Sequence, residues 1–90
     1  MSDVVWRRRA DVLWRRSLDA VILLAVGVEE PVTLPGTGAS VWDLLEEPAT
    51  LAELVATLTD AYDDAHPTVV EHDVRALLAE LEALGAVAQD

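Results

Sequence analysis

The chain contains no cysteine, no phenylalanine and no lysine in 90 residues, and only four glycines. Without cysteine there is no disulfide, no thiolate nucleophile and no cysteine-ligated zinc or iron–sulfur centre. Four glycines, at positions 27, 36, 38 and 85, build no glycine-rich phosphate loop, and no nucleophile elbow or paired-carboxylate motif is found either. These absences exclude the common catalytic signatures and leave binding as the expected activity, with no enzyme chemistry and no cofactor.

Without lysine, all six basic residues are arginines, set against seventeen Asp and Glu for a formal net charge of -11. That balance repels nucleic-acid phosphates and acidic membrane surfaces and favours a basic partner. Long apolar runs are also missing. The longest, AVILLAVGV at residues 20–28, is too short to span a bilayer. Preceded by arginines, it imitates a secretory signal, but Asp3, Asp11 and Asp19 interrupt the basic region. Removing that segment would also take about a third of a small domain. The expected location is the cytoplasm.

What is present is aliphatic. Hydrophobic residues make up 52% of the chain, mostly Leu, Val and Ala, with three Trp and one Tyr. Such a chain can bury one modest core, and a single domain over residues 1–90 is expected.

Five of the six arginines lie in VVWRRRADVLWRRS, residues 4–17, in two near-copies of one pattern. Short Val, Leu, Ile and Trp runs predict strands at 12–17, 20–26 and 31–34, with turns at Ser17-Leu18-Asp19 and Val28-Glu29-Glu30. Residues 4–8 are an added strand or an arm. Alternation sends Val12, Trp14 and Arg16 to one face and Leu13, Arg15 and Ser17 to the other. The arginines therefore leave on both faces, whereas a nucleic-acid groove gathers its cations on one.

After Pro35-Gly36 the period becomes helical. Val41, Leu44 and Leu45 form a first stripe, flanked by Trp42 and ended at Pro48. Thr50 and Glu53 form a capping box for a second helix that turns Leu51, Leu54, Val55, Leu58 and Tyr62 inward. After a break at Asp63-Asp64-Ala65-His66-Pro67, Thr68 and Glu71 predict a second capping box and a third helix stopping at Gly85. Its apolar residues Val70, Val74, Leu77, Leu78, Leu81 and Leu84 fill an arc of roughly 120°. Asp73 and Glu80 flank one border, Glu71 and Glu82 the other.

His66 and His72 lie near Asp63, Asp64, Glu71 and Asp73, but a spacing of six does not bring both onto one helix face, and no metal is expected. Carboxylates at a helix start serve the dipole and caps. Ser17-Leu18-Asp19 shares only composition with the Asp-Ser-Leu motif of phosphopantetheine carriers. The predicted fold class is α+β, an N-terminal three-stranded antiparallel sheet followed by three helices, winged helix-turn-helix-like. In that shape the last helix usually binds DNA. Here it carries Glu71, Asp73, Glu80 and Glu82 against Arg75 alone, so no nucleic-acid partner is expected.

Residues 34–87 resemble the PqqD family, the peptide chaperones and leader-recognition domains of ribosomal peptide natural-product pathways. The pattern consists of Leu34, Gly38-Ala39, Val41-Trp42 and Leu44-Leu45, then Thr50, Glu53-Leu54, Leu58 and Tyr62, then Asp73-Val74, Leu77-Leu78, Leu81, Gly85 and Val87. Where the family commonly has Asp-Gly after the first helix, this chain has Glu46-Glu47-Pro48-Ala49. The Arg- and Trp-rich start is similar to the stand-alone recognition proteins of lasso-peptide pathways, which work beside a separate leader peptidase and a cyclase.

The resemblance implies that a precursor leader peptide, basic with apolar anchors, adds as a strand to the edge Pro31, Val32, Thr33, Leu34. Apolar leader side chains would enter a groove against Val70, Val74, Leu77, Leu81 and Leu84, and Asp73 and Glu80 would hold basic ones. PqqD-type service to a radical enzyme and an acidic winged-helix regulator are the alternatives.

Overall fold

The structure, a computed structural model, describes residues 4–24, 29–62 and 66–90. Its elements in chain order are β1 (Val5–Arg8), β2 (Leu13–Ser17), β3 (Ala20–Leu24), β4 (Val32–Leu34), α1 (Thr37–Leu44), β5 (Ala49–Thr50), α2 (Leu51–Ala61), α3 (Pro67–Ala83) and β6 (Val87–Gln89). The architecture is α+β, with the expected three-stranded antiparallel sheet ahead of three helices; winged helix-turn-helix describes it loosely. Residues 25, 26 and 28, assigned above to a strand end and a turn, and Asp63-Asp64-Ala65 lie outside the described residues.

The main sheet has the order β2-β3-β4, with Trp14 opposite Leu23, Arg16 opposite Val21, Leu23 opposite Val32 and Val21 opposite Leu34. Val21, Leu23 and Leu34 are buried, so this register puts Trp14, Arg16 and Val32 on the inner face with them. Leu13, Arg15, Ile22, Leu24 and Thr33 face outward. The two arginines of β2 thus part as alternation requires.

A second sheet, absent from the sequence reading, has the order β5-β1-β6, all antiparallel. Of the two expected alternatives for residues 4–8, an added strand is the one that forms, at Val5–Arg8, though not in the main sheet. They form the centre strand of a small sheet that ties the N-terminus to residues 87–89. The two copies of the repeat meet across this division. Arg8, from the first, lies between the rings of Trp14, from the second, and Trp42, with its guanidinium carbon 4.8 and 4.7 Å from the ring centroids. Its Nε donates to the Trp42 carbonyl oxygen at 3.0 Å, and the two indoles meet edge to face at 5.9 Å. Burial lowers the Arg8 pKa from its ordinary value, and Arg16 acts in the same sense; the Asp43 and Glu46 carboxylates oppose the shift.

Trp42 does not flank the core, as the helical stripe suggested; it is fully buried within it, while Leu44 is half-buried. The indole is covered by β2 from a direction that the periodicity of α1 alone does not report. In α2 the predicted capping box is present: Thr50 Oγ1 accepts from Glu53 N at 3.1 Å, and Thr50 N donates to Glu53 Oε1 at 3.0 Å. Leu54 and Leu58 are buried, Leu51 and Val55 partly so, but Tyr62 is exposed because the helix ends at Ala61 and the backbone turns extended at Tyr62.

The second capping box does not form. His66 is the N-cap of α3, its Nδ1 accepting from Thr68 N at 3.3 Å, and Pro67 takes the first helical position, where its missing N–H costs nothing. The far end follows expectation. Gly85 adopts φ 77°, Ala86 N donates to Leu81 O at 2.9 Å and Gly85 N to Glu82 O at 3.0 Å, a Schellman closure. This reversal sends the chain straight into β6.

Candidate functional site

β4 is an edge of the main sheet: it pairs with β3 on one side and with no strand on the other among the described residues. Proline supplies no N–H and resists further pairing, and exposed Pro31 and Pro35 stand immediately before and after the strand. Three residues of backbone are thus left open between two stops.

The wall facing this edge is made by α1 and α3. Gly38 sits in the first turn of α1 between β4 and α3. A Cβ placed there would lie 3.3 Å from Leu34 Cβ and 3.8 Å from Leu77 Cδ1. Glycine is what allows the helix start to come this close to both neighbours. Leu77 is half-buried, with Val70 two turns before it and Leu84 two turns after. Asp73 and Glu80 are exposed along the same border. A cavity of about 350 Å³ opens at the start of α3, lined by Thr37, Leu58, Tyr62, His66, Val69, Val70 and Asp73.

The expected site residues therefore fall into two layers. Pro31, Val32 and Thr33 reach the surface at the edge, and Val70, Asp73, Leu77, Glu80 and Leu84 at the helix border. Leu34 is mostly buried behind them. Val74 and Leu81 have no exposed surface, a correction to their expected place in the groove. They point into the core and support it from beneath. Tyr62, Val69 and Thr37 were not anticipated. Tyr62 was assigned inward by periodicity; the exposed Val69, adjacent to Val70, was the one available signal.

A larger cavity, about 590 Å³, lies on the opposite border of α3, between Glu71, Leu78 and Glu82 and the strand residue Trp6. It faces the small sheet, whose neighbouring edge strand β5 is two residues long. The other edge strand, β6, is three residues long like β4 and lends Gln89 to this cavity, but it lacks the flanking prolines that bracket β4.

Among the described residues no group of three His, Cys, Asp or Glu could hold a metal ion, and no helix is long and apolar enough to cross a membrane. His66 serves as a cap, and His72 is exposed on α3.

Comparison with known proteins finds the same fold in solved structures. The structure described as "TbiB1 in Complex with the TbiA(beta) Leader Peptide" matches with a TM-score of 0.81 and 26% identity, over 90% of this chain and 93% of that one. A "Lasso peptide synthetase B1 complexed with the leader peptide" gives 0.76 and 25%, over 92% and 96%. The PqqD truncation of Methylobacterium extorquens PqqCD, described as a stand-alone recognition element for ribosomally synthesized and post-translationally modified peptides, gives 0.75 and 26%, over 93% and 88%. A search of curated proteins found no match. Residues 20–87 match the family described as "Coenzyme PQQ synthesis protein D (PqqD)". Most of the main sheet, all three helices and the start of β6 fall within that match, and the chain belongs to the PqqD family.

Proposed function

We propose that the chain binds the leader segment of a ribosomally made precursor peptide as an added strand on β4. It then presents that peptide to a separate leader peptidase, and to a cyclase, in cytoplasmic lasso-peptide maturation. The observation that carries this reading is the open β4 edge facing the Val70–Leu77 border of α3, in a fold shared with two proteins solved with leader peptides bound.

The mechanism is strand addition. Unpaired N–H and C=O groups on β4 align the leader backbone, and alternate leader side chains then point toward α3. One apolar anchor fits over Leu77 and another fills the 350 Å³ cavity beside Tyr62 and Val70. Asp73 and Glu80 face a basic residue between them. Three or four backbone bonds at about 1 kcal/mol each and two anchors at roughly 2 each, less the ordering cost, give micromolar to submicromolar affinity. The protein performs no bond chemistry in this reading; it raises the local concentration of substrate at its partner enzymes.

PqqD-type service to a radical enzyme is the second reading, favoured by the family match itself. The same groove would serve both, and the enzyme that copurifies with the loaded complex tells them apart. An acidic winged-helix regulator has less support, because the exposed face of α3 presents Glu71, Asp73, Glu80 and Glu82 to any phosphate.

Amide hydrogen exchange tests the mechanism. On leader binding, residues 32–34 and alternate leader amides should gain protection together, while Arg7–Arg9 in the other sheet change little. A leader that binds with no new protection at 32–34 refutes strand addition.

A further inference from the structure

The helices α2 and α3 share a second surface, on the border of α3 away from β4. Along α2, Ala52, Val55, Ala56 and Thr59 recur at intervals of three and four, which puts them on one flank, and Ala52 and Ala56 are exposed there. Along α3, Glu71, Leu78, Ala79 and Glu82 share the facing flank; Leu78 is buried as its floor and the other three are exposed. Two hollows open between the helices, of about 590 and 510 Å³, and Ala52 and Glu71 line both. They form one continuous groove, bounded by Trp6 and the exposed Val4 at one end and by Pro67 at the other.

This groove is small-sided, apolar and acidic. Alanines on both walls leave room for another backbone to come close. The rim carries Asp60, Glu71 and Glu82 against Arg75. Arg75 is matched by Glu71 at 3.8 Å, and Glu82 accepts only from the neutral Gln89 amide, at 2.9 Å. Asp60 and Glu82 have no cation beside them among the described residues. A guest that brings acids is repelled by a chain of net charge -11, and one that brings lysine or arginine is drawn in.

Both walls are helices whose backbone groups are paired within themselves, so the groove has no edge to which a strand could add. A third helix fits it, laid with a small apolar stripe against the alanines. Glu71 and Glu82 stand about 16 Å apart along α3, which sets the guest at roughly three turns. We propose that this groove docks an amphipathic helix of another protein, its Ala- and Leu-rich stripe flanked by lysine or arginine. The site lies across α3 from the β4 edge, and its occupancy does not depend on what β4 binds. A second copy of this chain is a poor guest, because two strongly acidic chains repel each other.

Amide NMR on the full chain tests the proposal with two synthetic peptides of about 14 residues that share one Leu-Ala stripe, one flanked by lysines and the other by glutamates. The lysine peptide should shift the signals of Ala52, Ala56, Ala79 and the Trp6 indole N–H and leave residues 32–34 unmoved. It should bind roughly tenfold or more tightly than the glutamate peptide, and E71Q/E82Q should narrow that difference. Ala56→Glu changes an exposed helix position, so the melting temperature should hold. It adds negative charge yet fills the groove, and should weaken the lysine peptide by roughly tenfold or more; Ala79→Glu, from the opposite wall, should do the same. A wild-type protein that binds neither peptide, or both equally, overturns the proposal. Lysine-peptide binding that both glutamate variants leave unweakened is general charge attraction and overturns it, as do shifts confined to residues 32–34. A wild-type dimer abolished by Ala56→Glu assigns the groove to a second copy and overturns it as well.

Discussion

Adjacent leucines on α3 separate recognition from stability. Leu77 is half-buried against the Gly38 turn on the groove border, whereas Leu78 is 1% exposed. Replacing Leu78 by alanine empties a buried core position and should cost about 2 to 5 kcal/mol of stability. At roughly 4 to 8 °C per kcal/mol for a domain of this size, the melting temperature falls by about 10 °C or more. Leu77→Ala removes a side chain that already reaches solvent, so the fold loses about 1 kcal/mol. Its effect lies in the leader complex, where losing one anchor should cost roughly 1.5 to 3 kcal/mol, about ten- to a hundredfold in affinity. Thermal melts and leader titrations on both variants measure the two quantities separately. If Leu77→Ala binds leader like wild type while Leu78→Ala stays folded and loses binding, the working face of α3 is the border bearing Glu71 and Glu82. The site would then move to the cavity beside Trp6.

Further tests concern other parts of the chain. Arg8→Ala strips the Trp42 carbonyl of its charged donor and both indoles of their cation, and should cost about 2 to 4 kcal/mol in denaturant melts; an unchanged midpoint would show that the bridge between the sheets is idle. The Glu53 pKa is lowered by hydrogen bonds from the Thr50 backbone and side chain. Its contribution is thus present above the ordinary glutamate pKa and lost as pH falls through the lowered folded value. Glu53→Gln, which keeps a capping side chain that does not titrate, should lose less stability on acidification than wild type does, as read by melts across that range. Leader binding should weaken moderately as salt is raised, because the groove border is acidic and the expected leader basic; calorimetry that finds tighter binding at high salt refutes the charge argument.

The main sheet was legible because alternation in Val12-Leu13-Trp14-Arg15-Arg16 and the proline brackets around Val32-Thr33-Leu34 are local signals. β5 and β6 were not, since strands of two and three residues carry almost no periodicity and exist through pairing with Trp6 and its neighbours, distant in sequence. His66 displaced the expected Thr68 cap because Pro67 already suits the first helical position, a competition that the Thr-x-x-Glu spacing does not reveal. On α3 the apolar arc was found, but one arc holds both core and groove residues. Val74 and Leu81 look the same as Leu77 in sequence until the sheet and α1 cover one side. The burial of Leu78 and the half-burial of Leu77 follow the expected division of that arc between core and border.

With a leader added to β4 as proposed, the brevity of that strand governs how long the peptide stays. With proline on either side, no more than a few backbone bonds can form, and a longer leader gains nothing from extending the ladder. At micromolar affinity and ordinary association rates of about 10⁵ to 10⁷ M⁻¹s⁻¹, the complex lasts from roughly a tenth of a second to ten seconds. An adaptor serving many precursor molecules has to shed each cut leader before taking the next. In that reading a strand edge held to three residues makes departure fast, and the prolines that limit further strand pairing would also keep the adaptor turning over.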